Sequence, residues 1–129
     1  MAKSSKHSKA QKLLLEYRPI VWRKSVLETV PEISREALRA CEEQISFTQA
    51  LVDVLRNNGP TGEKLYRVIY ATYMTDRQLG DVDEILDHIA NSHEPLPRRT
   101  YFRLKGLAIG ILDNHLEGMS KGSITSVLQ

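Results

Sequence analysis

Apolar residues recur at steps of three and four along most of the chain, a spacing typical of amphipathic helices, and we identify no convincing strand pattern. The clearest case begins at Pro97. Its stripe consists of Tyr101, Leu104, Ala108, Ile111 and His115. Successive helical residues are rotated by about 100°, so these positions share one face. The pattern predicts an all-α helical bundle in which this C-terminal helix packs on the others through that face.

Proline and glycine mark where the first two helices should break. The N-terminal helix is apolar from Leu13 and is expected to kink or restart at Pro19, because proline removes a backbone hydrogen bond and clashes with the preceding turn. The second helix should run to about Arg56 and stop before Gly59. A heptad-like seam follows it through Leu38, Cys41, Ile45, Thr48, Val52 and Leu55. Packing within the chain is the favoured interpretation of this seam, and a homodimer is the alternative.

Two shorter helices are predicted before the basic one. Thr61 is placed to cap the first, and the chain should turn at residues 75–80. Asp81 and Glu84 form an Asp-x-x-Glu capping pair that opens the second, and the chain should break again at residues 91–95. A short acidic helix, a turn and a long basic helix follow one another. This order predicts a helix-turn-helix with the basic helix second.

Length and composition favour one domain with a tail at each end. The chain has 129 residues, of which 41% are hydrophobic, enough for one modest core. We expect a basic flexible tail at residues 1–12, a helical domain at residues 13–118 and a C-terminal tail at residues 119–129. Within the domain, residues 13–58 would support or oligomerise a helix-turn-helix module at residues 61–118. No membrane segment is expected, which favours a cytoplasmic protein.

Charge is unevenly distributed although the formal net charge is only +2. Residues 1–24 hold seven Lys or Arg against one acid, residues 25–94 hold six against thirteen acids, and residues 97–105 hold four and no acid. Two basic segments around an acidic middle are expected if both face a polyanion such as double-stranded DNA. The N-terminal lysines predicted to contact phosphates are Lys3, Lys6, Lys9 and Lys12. A solvated tail is the alternative interpretation.

The basic helix places cations opposite its apolar stripe. Arg99, Arg103, Gly106 and Gly110 fall on that face, and the glycines would allow a phosphate backbone to come close. We expect the two arginines to read base edges. The full set of predicted DNA-contacting residues on this helix is Arg98, Arg99, Thr100, Phe102, Arg103 and Lys105. An ordinary amphipathic surface helix is the competing interpretation.

A family resemblance rests on these residues. The run from Arg99 to Lys105, followed by Ala108 and Ile109, resembles the C-terminal helix-turn-helix of the ArpU and RinA-type phage transcriptional regulators, in which a Thr-Tyr-Tyr-Arg-like run opens the recognition helix. The chain departs from that pattern at Pro97, where the family usually has a serine cap. The resemblance implies a helix-turn-helix similar to that of sigma-factor region 4. It also implies a regulator in the cytoplasm of a bacterial host, with RNA polymerase as a candidate partner. A phage small terminase subunit and a helical protein-binding adaptor are the alternatives.

Other chemistry is not favoured. The acids of residues 81–87 lack the spacing and glycine of a calcium loop, and helix capping explains them. His88 and His93 have no ligand partner at zinc spacing. No nucleophile motif, phosphate-binding glycine loop or dinucleotide fingerprint occurs, so we predict no enzyme, no catalytic residue, no metal site and no cofactor. Trp22 is expected to anchor the core, and His115 to lie at its edge.

Overall fold

Helices account for nearly all the regular structure of this protein. The computed structural model describes residues 8–30, 32 and 35–128, with side chains described as far as Met119. The α-helices are α1 (Lys9–Leu15), α2 (Tyr17–Glu28), α3 (Arg35–Asp53), α4 (Gly59–Ile69), α5 (Val82–Ser92) and α6 (Arg98–Leu128). A 3-10 turn, Val54–Asn57, follows α3, and a π turn, Tyr70–Met74, follows α4. No strand occurs in the described ranges, and the all-α prediction is confirmed.

The N-terminal helix breaks at Glu16, slightly before the predicted point. Because α2 begins at Tyr17, Pro19 falls in its first turn, where a missing N–H costs no intrahelical hydrogen bond. The Ser8 side chain caps α1 by accepting a hydrogen bond from the backbone N–H of Gln11 at 3.2 Å. Since α1 starts at Lys9, residues 9–12 of the predicted flexible tail are helical.

The seam along α3 is covered from within the chain. Cys41, Thr48 and Val52 are buried, and α2 lies along α3. Intramolecular packing, the favoured interpretation, therefore accounts for these positions, and the alternative of a homodimer is not needed to explain them. Phe47, on the second apolar face of α3, remains 41% exposed.

The junction between α3 and α4 is tighter than a loop. Gly59 has a φ of +72°, a left-handed conformation that side chains disfavour, and α4 begins there rather than at Thr61. Gly62, one turn further, is buried against the 3-10 turn. A Cβ atom at this position would overlap the carbonyl oxygen of Leu55. The absence of a side chain at Gly62 is what lets the two elements meet.

The core is built around α4 and the first half of α6, against which α1 and α5 also pack. The largest fully buried side chains are those of Leu14, Leu51, Leu55, Leu65, Ile69, Tyr101 and Leu112. They come from α1, α3 with its 3-10 turn, α4 and α6, so one apolar cluster joins the predicted supporting helices to the predicted C-terminal module.

Arg18 links α2 to the end of the π turn. Its Nε donates to the Thr75 carbonyl at 3.0 Å, and its Nη2 donates to the Thr72 carbonyl at 3.1 Å and to Thr75 Oγ1 at 2.8 Å. A cation here satisfies carbonyls that the end of a helix leaves without partners. Partial burial lowers the pKa of Arg18 from its ordinary value, but a guanidinium remains charged in a protein.

Three sequence expectations differ from the structure. Trp22 is 69% exposed, so its prediction as a core anchor is wrong; the buried residue of α2 is Ile20. His115 is also exposed although it lies on the face of Ala108, because α6 runs beyond the core: Leu112 is the last buried residue of this helix among the described side chains. The helix does not end near Gly118, since α6 continues through the expected C-terminal tail to Leu128.

Replacement of Arg18 tests its role in joining α2 to the π turn. Arg18→Ala should lower the free energy of unfolding by roughly 2–3 kcal/mol, because it removes charged donors from two main-chain carbonyls. Denaturant unfolding measures the change. Arg23→Ala, at an exposed position on the same helix, should stay within about 0.5 kcal/mol of the wild type. Equal effects of the two substitutions would contradict the assigned role.

Two glycine substitutions should have opposite signs. Gly62→Ala should destabilise the protein by roughly 1–3 kcal/mol, because the new methyl group overlaps main-chain atoms of the 3-10 turn. Gly106→Ala should stabilise it by up to about 1 kcal/mol, because alanine favours helix and no atom lies within 4 Å of its Cβ position. Thermal unfolding of both variants provides the comparison. A neutral or stabilising effect of Gly62→Ala would show that the backbone contact at Gly62 is unimportant.

Candidate nucleic-acid interface on α6

The start of α6 follows from its local sequence. Residues 93–97 connect α5 to α6, and the carbonyl of Pro97 accepts the N–H of Tyr101 at 2.9 Å, which makes Pro97 the residue before the first helical one. Proline is tolerated at a helix start because its missing N–H has no intrahelical partner to lose. Leu96 packs on the core beside it.

The inner face of α6 sets the rotation of the helix. Tyr101, Leu104, Ala108 and Leu112 are all at most 3% exposed. The Tyr101 hydroxyl lies 2.8 Å from Thr72 Oγ1, so the buried phenol has a hydrogen-bond partner on the π turn. Burial raises the pKa of Tyr101, and the hydrogen bond with Thr72 offsets part of the rise. With this face anchored, the opposite face must point outward.

The outer face combines free cations with open backbone. Arg99 and Arg103 are exposed, and neither guanidinium has a hydrogen-bond or ion-pair partner among the described side chains. No atom lies within 4 Å of the Cβ positions of Gly106 and Gly110. Phe102 is 47% exposed beside them. The predicted positions of these five residues on the outer face are therefore found together.

Arg98 is predicted to contact phosphate, but in the structure it forms an ion pair within the chain. Its Nη1 lies 2.9 Å from Asp83 Oδ1, so it pairs α6 with the first turn of α5. Its guanidinium carbon also lies 5.8 Å from the centre of the Phe102 ring. Both members of the ion pair are well exposed, at 58% and 78% of their side-chain surface. Such a pair contributes about 1 kcal/mol or less, so a phosphate could displace Asp83 at little cost.

Thr100 and Lys105 lie toward the protein rather than fully on the outer face. Both are half-buried, and the Lys105 ammonium lies 5.9 Å from the centre of the Tyr73 ring on the π turn. The six residues predicted on α6 thus separate into two groups. Arg99, Phe102 and Arg103 form an exposed patch, whereas Arg98, Thr100 and Lys105 have contacts or burial at its margin.

Two of the four predicted N-terminal lysines lie on a helix that packs on α6. Lys9 and Lys12 are exposed on α1, which is anchored through the buried residues Ala10 and Leu14. Lys3 and Lys6 lie outside the described residues. The Ala10 N–H donates to Asp113 Oδ1 at 2.9 Å, so a carboxylate of α6 caps the first turn of α1. Sequence reasoning missed Asp113, since its partner is 103 residues away.

Other kinds of site find no support in the described ranges. No three His, Cys, Asp or Glu side chains are arranged there to hold a metal ion. No helix of the same ranges is long and apolar enough to cross a membrane. The comparisons with protein-family models, curated proteins and solved structures find no match to this chain. The binding chemistry of α6 is therefore inferred from its own side chains.

Removal of the Asp113 carboxylate should loosen α1. Asp113→Ala should lower the free energy of unfolding by about 1 kcal/mol, because the Ala10 N–H loses its acceptor and the helix end loses its countercharge. The Ala10 amide should also exchange hydrogen faster than in the wild type. Asp87→Ala removes an exposed acid of α5 that has no partner among the described residues; it is the control and should change neither quantity appreciably. Unaltered exchange at Ala10 in Asp113→Ala would show that α1 does not depend on this contact.

Proposed function

We propose that the protein binds double-stranded DNA sequence-specifically, with α6 in the major groove and with α5, residues 93–97 and α6 acting as a helix-turn-helix. The observation that carries the proposal is the outer face of α6. It presents two unpaired arginines and two exposed glycines directly opposite a fully buried stripe. A helix is about 10–12 Å across with its side chains, and the major groove is about 12 Å wide, so a helix with one free face can enter it.

Arg99 and Arg103 suit base reading because they are free. Arginine can donate two parallel hydrogen bonds to O6 and N7 of guanine, the commonest specific contact between a protein and DNA. An arginine already held by a carboxylate would have to break that contact first, as Arg98 would with Asp83. Their four-residue spacing places both side chains on one side of α6, about one helical turn apart.

The glycines argue for close approach of another molecule. Glycine in a helix interior costs up to about 1 kcal/mol relative to alanine. Gly106 and Gly110 are exposed, and no atom of the described residues lies within 4 Å of a Cβ placed at either position, so packing within that part of the protein does not explain this cost. A phosphate strand lying against this side of the helix would explain it, because a side chain there would hold the strand away.

Phosphate contacts would come from the margins of this face and from α1. Arg98 and Lys105 flank it, and Lys9 and Lys12 are exposed on the helix that Asp113 attaches to α6. Such contacts fix orientation and affinity without reading sequence. They would give binding a strong dependence on salt.

The resemblance to ArpU and RinA-type regulators narrows the proposal to a phage-encoded transcriptional regulator acting in a bacterial host. The quoted run divides between the two faces of α6, with Tyr101 and Ala108 buried and Phe102 and Arg103 exposed. This division is what a recognition helix requires, since some of its residues hold it in place and others contact bases.

Selection of bound sequences from a random DNA pool tests the proposal. The wild type should enrich one motif. Arg99→Ala and Arg103→Ala should each weaken binding to that motif by roughly 1–3 kcal/mol and relax preference at one or two base positions. Arg39→Ala, which removes an exposed arginine from α3, is the matched control and should change neither property.

Gly106→Ala separates stability from binding. The variant should be at least as stable as the wild type and yet bind the selected motif more weakly, because the added methyl group lies where we place the phosphate strand. Arginine variants that keep both affinity and preference would refute the proposal. Light scattering that shows a ring of about eight or more subunits would favour the terminase alternative, since ring assemblies are built from repeated head-to-tail contacts.

A further inference from the structure

A cleft between α4 and α5 shares no lining residue with the proposed DNA-reading face of α6. Its volume is about 370 Å³, and all its lining residues precede α6 in the chain. The side chains that matter for its chemistry are Arg56, Glu63, Tyr66, Arg67, Tyr70 and His93. A cavity of this size falls within the range of small-molecule sites, and this one combines an aromatic wall with several hydrogen-bond donors.

Arg67 supplies the strongest reason to expect a ligand. Its Nε is buried, and no acceptor within the described part of the chain is in hydrogen-bond range. The Glu63 carboxylate is 3.7 Å away, which is too far for a hydrogen bond, and its other oxygen lies 3.5 Å from Arg56. A buried donor without an acceptor is costly. The Arg67 side chain borders the cleft and is 33% exposed, so the guanidinium can donate to an oxyanion there.

The opposite wall is aromatic. The Arg56 guanidinium lies 3.7 Å from the centre of the Tyr66 ring, and Asp53 holds the same guanidinium at 3.2 Å. Tyr66 is stacked on Tyr70 with ring centres 6.0 Å apart and an interplanar angle of 28°. Arg56 is therefore committed to this wall, whereas Arg67 has a looser ion pair with Glu63, at 3.7 Å and without a hydrogen bond. Tyr70 is 40% exposed and can offer its ring to a planar group.

Two histidines complete the lining. His88 and His93 are exposed near the C-terminal end of α5, and both border the cleft. Imidazole N–H groups donate well to phosphate oxygens. The cleft thus places donors for an oxyanion beside a ring that can stack.

We propose that this cleft binds a free nucleoside monophosphate or a closely related aromatic phosphomonoester. The phosphate would accept hydrogen bonds from Arg67 and the histidines, and the base would lie against Tyr70. The proposal does not depend on DNA reading by α6, because the two sets of residues do not overlap.

Titration with AMP tests the site, with calorimetry for affinity and NMR of the tyrosine and histidine rings for location. AMP should bind saturably and at least about tenfold more tightly than either adenosine or inorganic phosphate, since each of these lacks one half of the contacts. Arg67→Gln should weaken AMP binding by about tenfold or more. Arg23→Gln, an exposed arginine on α2, is the matched control and should leave the affinity unchanged.

A second variant guards against misfolding as an explanation. His93→Ala lies at an exposed position just after α5, and its circular dichroism and melting temperature should match the wild type while its AMP affinity falls. Absence of saturable AMP binding would overturn the proposal, as would equal AMP affinity in the wild type, Arg67→Gln and His93→Ala. NMR signals from the tyrosine and histidine rings of the cleft that respond to duplex DNA but not to AMP would also overturn the proposal, because the bound phosphate would then belong to nucleic acid.

Discussion

The packing of Tyr101, Leu104, Ala108 and Leu112 into the core is the constraint on which the arrangement of α6 depends. A smooth apolar stripe alone would allow the helix to turn about its axis by a fraction of a step. The hydrogen bond between the Tyr101 and Thr72 hydroxyls adds direction, because a buried phenol that turned away would lose its partner. The exposed positions of Arg99 and Arg103 are consequences of this anchor, not of any contact that they make themselves.

Thr72 also connects that anchor to the rest of the chain. Its side chain faces Tyr101, while its carbonyl accepts a hydrogen bond from Arg18 on α2. The π turn that contains Thr72 therefore lies between the supporting helices and α6. In an ordinary α-helix the carbonyls of Thr72 and Thr75 would point along the helix axis. Here the wider π turn and the end of the helix at Thr75 present both carbonyls to one guanidinium. Residues 13–58 are in this sense part of the same unit as α6, joined to it by both the apolar core and a cationic cap.

The sequence predicted the helices well because their signals are local. The Asp81 cap is an example: its carboxylate accepts the Glu84 N–H at 3.0 Å, as the Asp-x-x-Glu spacing implies. The wrong predictions concern which face of a helix packs against the rest of the protein. Trp22 has the size of a core residue, but the α2 face that packs is the one carrying Ile20, and nothing in the local pattern distinguishes the two. Only the tertiary arrangement brings Arg98 to Asp83 and Ala10 to Asp113.

The two faces of α6 make opposite demands on its sequence. The inner face requires large apolar residues with little freedom, and it has them. The outer face would be more stable with alanines in place of Gly106 and Gly110, and with acids near Arg99 and Arg103 to neutralise them. The outer face has neither the alanines nor the acids. The ion pair of Arg98 with Asp83 shows that the fold can place a carboxylate beside an arginine of α6. Stability alone therefore explains one side of this helix and not the other, and the unexplained side has the residue types that a polyanion would select.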